Sequence, residues 1–181
     1  MNKIATSGFT LVEILVVVAI LGVVATVALP LLGNNDPQKL NVAAEETANT
    51  LRFALSEAKR TSGYVVVDGK ITAGILQFYF SDDKAKVTTP VLIDPLTKRT
   101  LLLDVTTNTF SNGVTLTPQF MAGGSPWKRL LIGPGLTQMQ AFDNGASGKG
   151  ALAANSGVLL TLGSQSVMVK INEITGLVTL P

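Results

Sequence analysis

The sequence predicts an α+β protein in which one long N-terminal helix packs on a head built mainly from antiparallel strands. Residues 9–32 form an almost unbroken apolar run of 24 residues, enough for a helix of about 36 Å. Beyond residue 62, short runs rich in Val, Leu, Ile, Thr and Phe alternate with Gly, Pro, Asn and Asp, which is typical of strands joined by turns. Short, closely spaced strands favour antiparallel sheets.

The apolar run predicts a segment that inserts into a membrane, because a helix of about 36 Å exceeds a bilayer core of about 30 Å. Glu13 is the only charged residue inside it. A lone acid in a bilayer costs about 2.5 to 3.5 kcal/mol at a helix centre. Two explanations of Glu13 stay open: its side chain reaches back to the lipid headgroups, or it meets a cationic partner at the same depth.

The sequence GFTLVE at residues 8–13, followed by the apolar run, resembles the type IV prepilin signature. This resemblance implies cleavage by a prepilin peptidase between Gly8 and Phe9, N-methylation of the new Phe9 amine, and retention of the apolar segment as an assembly helix. It also implies a single-pass inner-membrane protein with a cytoplasmic N-terminus and a periplasmic head. A secretory signal peptide explains the segment less well, because its apolar core usually has about 7–15 residues and no acid.

The resemblance also implies a role for Glu13, which would neutralise the N-terminal amine of a neighbouring subunit in a bundle of helices. An unpaired charge in such a bundle is strongly unfavourable, so the wrong register would be penalised. Gly22 and Pro30 are expected to loosen the helix, since glycine lowers helix stability and proline removes a hydrogen bond. Pro30 is equally compatible with the end of the membrane span.

Four segments are predicted: a leader at residues 1–8, a transmembrane and assembly helix at 9–32, an amphipathic helix packed on the head within 33–61, and the antiparallel β head at 62–181. Asp36 is a plausible N-cap, and Pro37 suits the first helical position. Apolar and small residues then recur at helical spacing, which predicts a face packed on the sheet. They are Leu40, Ala44, Thr47, Leu51, Ala54 or Leu55, and Ala58.

Ten strands are predicted in the head. They cover residues 64–67, 74–80, 86–93, 100–105, 114–120, 129–132, 136–142, 157–162, 165–171 and 174–180. Around Lys170 the residues alternate, so this side chain is expected to point outwards while Val167, Val169 and Ile171 point inwards.

The composition favours a structural protein over an enzyme. The chain has no cysteine and no histidine, which removes thiol chemistry, disulfides and the commonest general base. The net charge is +2, and loss of Lys3 with the leader would leave 13 basic against 12 acidic residues. This balance is not typical of nucleic-acid binding. No cofactor and no metal site are predicted.

Two basic pairs are the candidates for DNA capture. These are Lys98 with Arg99, and Lys128 with Arg129, the second beside Trp127, whose ring offers a stacking face. Short basic pairs are common on solvated surfaces, so DNA is not the expected partner.

The predicted function is that of a minor pseudopilin in the pseudopilus of type II secretion. Residues 48–67 and the ending at 169–180 resemble the H-type minor pseudopilin and the related fimbrial T-type minor pilin. The resemblance implies other pilin or pseudopilin subunits, an inner-membrane assembly platform and secreted cargo as partners. One alternative is a minor type IV pilin in pilus assembly, adhesion or DNA uptake. Another, of a different class, is a membrane-tethered β-domain that acts as a binding module or enzyme.

Overall fold

A computed structural model describes residues 10–32, 35–81, 91–133, 138–143 and 150–181, with the backbone alone for residues 27–32. The chain divides into two compact units, residues 1–35 and residues 36–181. Each unit has one α-helix among its described residues, and the second unit also contains the strands.

The first unit contains helix α1, which spans Leu11–Leu32. Its side chains from residue 11 to residue 26 are exposed, apart from a half-buried Ala25. Among the described residues, none of the helices is long and apolar enough to cross a membrane.

The second unit begins with helix α2, which spans Asp36–Thr61. It ends in a Schellman arrangement, in which the Gly63 N–H donates to the Ala58 carbonyl at 3.2 Å and the Ser62 N–H to the Lys59 carbonyl at 3.3 Å. Ser62 adopts the required left-handed conformation, with φ of 50°. The face predicted to pack is buried, and Ala43 and Ala48 extend it.

The described part of the head forms two antiparallel sheets. The first has the order β3-β2-β1-β6-β7-β8 and the second the order β11-β10-β9-β4-β5. The strands of the first sheet are β1 (Tyr64–Asp68), β2 (Ile75–Ser81), β3 (Leu102–Asp104), β6 (Arg129–Ile132), β7 (Gln140–Phe142) and β8 (Gly150–Ala151). Those of the second are β4 (Thr115–Ala122), β5 (Ser125–Trp127), β9 (Gly157–Leu162), β10 (Gln165–Ile171) and β11 (Val178–Thr179). The predicted α+β class, a helix followed by an antiparallel β-rich domain, is confirmed.

Helix α2 packs against strands of both sheets, namely β1 and β3 of the first and β9, β10 and β11 of the second. The main hydrophobic core lies between them, and Leu51, Phe78 and Phe120 are among its fully buried side chains. Strand β1 is buried on both faces, because Val66 joins a second small cluster with Leu131 and Phe142. On β10, Lys170 is exposed while Val169 and Ile171 are buried, in agreement with the predicted alternation.

Several strand predictions were wrong in extent. Strands β5 and β8 were not predicted, and β5 carries Pro126 at a sheet edge, where a missing N–H does no harm. Of the predicted strand at 86–93, residues 86–90 lie outside the described residues, and Val91 and Ile93 form only isolated bridges. The predicted strand at 174–180 shrinks to β11, because Asn172 organises a turn by accepting hydrogen bonds from the backbone N–H groups of Ile174 and Thr175.

Candidate functional site

The start of α1 is capped by Thr10. Its Oγ1 accepts a hydrogen bond from the Glu13 N–H at 3.3 Å, and its carbonyl accepts from the same N–H at 3.1 Å. Glu13 therefore lies three residues after the cap, the spacing of a capping box, and its negative charge lies in the first turn, where the helix dipole favours it. The sequence interpretation missed this local role, although the pattern T-x-x-E at residues 10–13 was its signal.

The large apolar side chains of α1 point outwards on all sides of the helix and are exposed in the isolated chain. A shallow apolar surface lies along one flank, formed by Leu15, Val16, Ala19, Ile20, Val23 and Val24. Exposure of so many large apolar groups is unfavourable in water, and it marks a surface for lipid or for other helices. The carboxylate of Glu13 is the one charge on this helix.

Gly22 and Pro30 do not interrupt α1, which continues to Leu32. A Cβ atom added at Gly22 meets no atom within 4 Å, so the chain itself does not require glycine there. Pro30 does not mark the end of the helix. Gly8 and Phe9 lie outside the described residues.

The two residues of the second basic pair, Lys128 and Arg129, differ in their surroundings. The Arg129 Nε lies 2.7 Å from Oδ2 of Asp68, whose side chain is 0% exposed, while the Arg129 side chain is 16% exposed. An Arg129 Nη1 also donates to the Asp143 carbonyl at 2.8 Å. The Arg129 guanidinium is therefore held by groups of the protein itself, whereas the Lys128 side chain is exposed.

The neighbouring groups complete a network around Asp68. The Lys70 N–H donates to Asp68 Oδ1 at 2.8 Å, and the Lys70 ammonium lies 2.8 Å from Asp143 Oδ2. Trp127 lies beside this network, and its indole N–H donates to the Ala122 carbonyl at 2.9 Å. Sequence reasoning identified Trp127, Lys128 and Arg129 but missed Asp68, although an acid that ends the apolar run at residues 65–67 was a usable signal.

The first basic pair lies elsewhere, on the turn at residues 94–99. The Lys98 N–H donates to the Asp94 carbonyl at 2.9 Å, and Lys98 has a φ of 57°. Asp94 Oδ2 accepts a hydrogen bond from the Thr97 hydroxyl at 2.7 Å, and this bond is the main reason that the pKa of Asp94 is lowered. Neither Lys98 nor Arg99 lines the cleft beside Trp127. The two pairs therefore do not share that cleft.

Comparison with known proteins decides the character of the N-terminus. The family model of the prokaryotic N-terminal methylation motif matches residues 5–29. The chain carries the prokaryotic N-terminal methylation motif. No solved structure matches the chain.

The methylation motif covers Gly8, Phe9, Glu13 and Gly22, whereas Pro30 and the whole head lie beyond it. It supports a type IV pilin-like subunit, and it implies processing by prepilin peptidase, N-terminal membrane anchoring and assembly with other pilin subunits. Among the described residues, no cluster of three or more acidic side chains is suited to hold a metal ion.

Proposed function

We propose that the chain is a non-enzymatic minor pseudopilin of type II secretion, of the H type, which assembles into the periplasmic pseudopilus. In this proposal residues 1–8 are removed as a leader and Phe9 is N-methylated. Residues 9–32 cross the inner membrane once, residues 33–61 pack on the head, and residues 62–181 form the periplasmic head.

The observation that carries the proposal is the methylation motif at residues 5–29, which lies over a helix whose apolar side chains are exposed. Such a helix is stabilised in lipid before assembly and by helix packing afterwards. Helix α1 is therefore suited to move from the membrane into a helix bundle when the subunit assembles.

In the assembled fibre, Glu13 would pair with the N-terminal amine of the next subunit. The carboxylate is exposed on α1 and forms no ion pair within the described part of the chain. Once buried in a bundle, a carboxylate and an amine are tolerated only together, which would set the register between subunits. Gly22 and Pro30 would then permit local loosening of α1 during assembly.

The ion pair between Arg129 and Asp68 favours a secretion role over DNA uptake. Arg129 is one of the four basic residues considered for DNA binding, and this ion pair makes it unavailable to DNA. The head would act by contact with other pseudopilins, with the inner-membrane assembly platform and with secreted cargo.

Processing is tested by mass spectrometry of the protein extracted from membranes. The expected product begins at N-methylated Phe9. Gly8→Leu should abolish cleavage, because the peptidase accepts only a small side chain before the scissile bond, whereas Asn2→Leu, which also lies in the leader, should be processed normally. Retention of residues 1–8 by the parent protein in cells with an active prepilin peptidase would contradict the proposal.

The choice of system is tested by deletion of the gene in the native host. We expect loss of secreted exoproteins with surface pili, twitching and transformation unchanged. The opposite pattern would assign the chain to a type IV pilus. A complemented strain that carries Gly8→Leu should behave like the deletion, since an unprocessed subunit cannot assemble.

A further inference from the structure

We propose that the cleft beside Trp127 is a binding site for an acidic saccharide. The cleft has a volume of ≈ 370 Å³. This volume lies within the range of roughly 300 to 1,000 Å³ that is typical of small-ligand pockets. It is lined by Lys70, Ser125, Pro126, Trp127, Lys128 and Asp143.

The aromatic wall of the cleft is fixed in place. The Trp127 side chain is half-buried against the core, and its N–H is satisfied by the Ala122 carbonyl, so the ring has one preferred orientation. Its strand, β5, is an edge strand of the second sheet. An indole face held at a surface in this way presents a flat apolar plane to the C–H face of a sugar ring.

The charged walls are held by a buried ion pair. Asp68 is fully buried. Its carboxylate binds the Arg129 guanidinium and accepts a hydrogen bond from the backbone N–H of Lys70. Arg129 in turn holds the Asp143 carbonyl. A buried ion pair gives little net stability, because desolvation offsets the attraction between the charges. Its effect here is to position Lys70 and Asp143 on the rim of the cleft.

The charges on the rim select the ligand. Lys70 and Asp143 neutralise each other at 2.8 Å, while Lys128 is exposed and forms no ion pair among the described residues. The rim therefore has one excess positive charge, which suits a single carboxylate. Asp143 Oδ atoms and the Ser125 hydroxyl are able to accept hydrogen bonds from sugar hydroxyls.

A nucleic-acid strand fits this cleft less well. Asp143 places a negative charge beside any second phosphate, and Arg129, which would extend a basic track, is turned to Asp68. A polyhydroxylated ring with one carboxylate satisfies the apolar face, the excess cation and the acidic acceptor together.

The test uses the fluorescence of full-length protein in detergent micelles. Trp127 is the single tryptophan of the chain, so its emission reports this cleft alone. The probe is galacturonate, a single sugar ring with one carboxylate, and its methyl ester is the matched uncharged ligand. We expect a saturable change in emission with galacturonate. The ester should bind at least about tenfold more weakly, as for the loss of a charge-assisted hydrogen bond.

Two variants locate the binding. Lys128→Ala should weaken galacturonate binding about tenfold or more, and Lys128→Arg should retain most of it. Lys98→Ala removes the same charge from the other basic pair and should leave the affinity unchanged. Circular dichroism checks that all three variants fold.

The proposal is overturned by any of four results. These are no saturable change with galacturonate, equal affinity for acid and ester, equal weakening by Lys98→Ala and Lys128→Ala, or tighter binding of a short oligothymidylate than of galacturonate. The last result would assign the cleft to single-stranded nucleic acid.

Discussion

Helices α1 and α2 differ in where their apolar side chains find an apolar environment. On α1 the large residues from Leu11 to Val24 are exposed around the helix. On α2 the apolar residues form one stripe, and Leu40, Leu51 and Leu55 are buried against the sheets. The chain therefore supplies the packing environment of α2 itself, whereas the side chains of α1 need lipid or other subunits. Substitutions in the two helices should separate folding of the head from assembly.

The largest expected effect is on the stability of the head. Leu51→Asp should reduce its free energy of unfolding by about 4 kcal/mol or more, because it places an unpaired charge in the core. Denaturant unfolding followed by Trp127 fluorescence measures this, in a fragment that begins near Gly33 and that we expect to fold alone. Val42→Asp is the matched control, since Val42 is 41% exposed on the same helix and its substitution should change stability little. Equal losses in the two variants would contradict the packing of α2.

The next effect concerns α1 and leaves the head unchanged. Glu13→Leu should lower incorporation into the fibre strongly, because an unpaired amine in a helix bundle costs about 3 to 5 kcal/mol. Membrane insertion should be retained or improved. Quantification of sheared fibres against membrane-bound protein measures both.

Glu13→Gln distinguishes the two roles of Glu13. Glutamine keeps the capping-box pattern with Thr10 but removes the charge. Loss of assembly in both variants supports the ion pair. Normal assembly of Glu13→Gln would show that capping, and not charge, is the role that matters.

An intermediate effect is expected at Gly176, which lies between β10 and β11 under α2. Gly176→Ala should destabilise the head by about 2 to 4 kcal/mol, because an added Cβ lies 2.3 Å from Met139 Cε and 2.8 Å from Leu55 Cδ2, and φ is +73°. Gly163→Ala has a similar φ of +59° but meets no atom within 4 Å, so it should cost only about 1 kcal/mol. Thermal unfolding of both variants compares them, and equal losses would mean that the contact with α2 is unimportant.

The smallest effect is a pH effect on the exposed turn at residues 94–99. The hydrogen bond from Thr97 lowers the pKa of Asp94, so Asp94 stabilises the fold above its unfolded pKa, and this contribution is lost as the pH falls through the lowered value. Thr97→Val should raise the pKa of Asp94 towards its ordinary value, and Thr97→Ser should preserve the lowered value. Carboxyl NMR titration measures the shift. An unchanged pKa in Thr97→Val would contradict the assigned cause.

The sequence predicted most of the regular elements, because their signals are local. The apolar run marked α1, the spacing of Leu40, Thr47 and Leu51 marked the buried face of α2, and alternation around Lys170 marked β10. The methylation motif, too, is a contiguous pattern and needs no fold to be recognised. Short edge strands such as β8 escaped prediction, since two residues carry no period.

The tertiary structure alone decided how the charges of the head are used. Asp68 and Arg129 are 61 residues apart in the chain and meet because β1 pairs with β6. Lys128 and Arg129 look equivalent in the sequence, yet one is exposed and the other holds a buried carboxylate. Hydrophobic periodicity is a property of neighbouring residues, whereas an ion pair depends on which distant strands become partners, and that choice is made only when the sheets and α2 pack together.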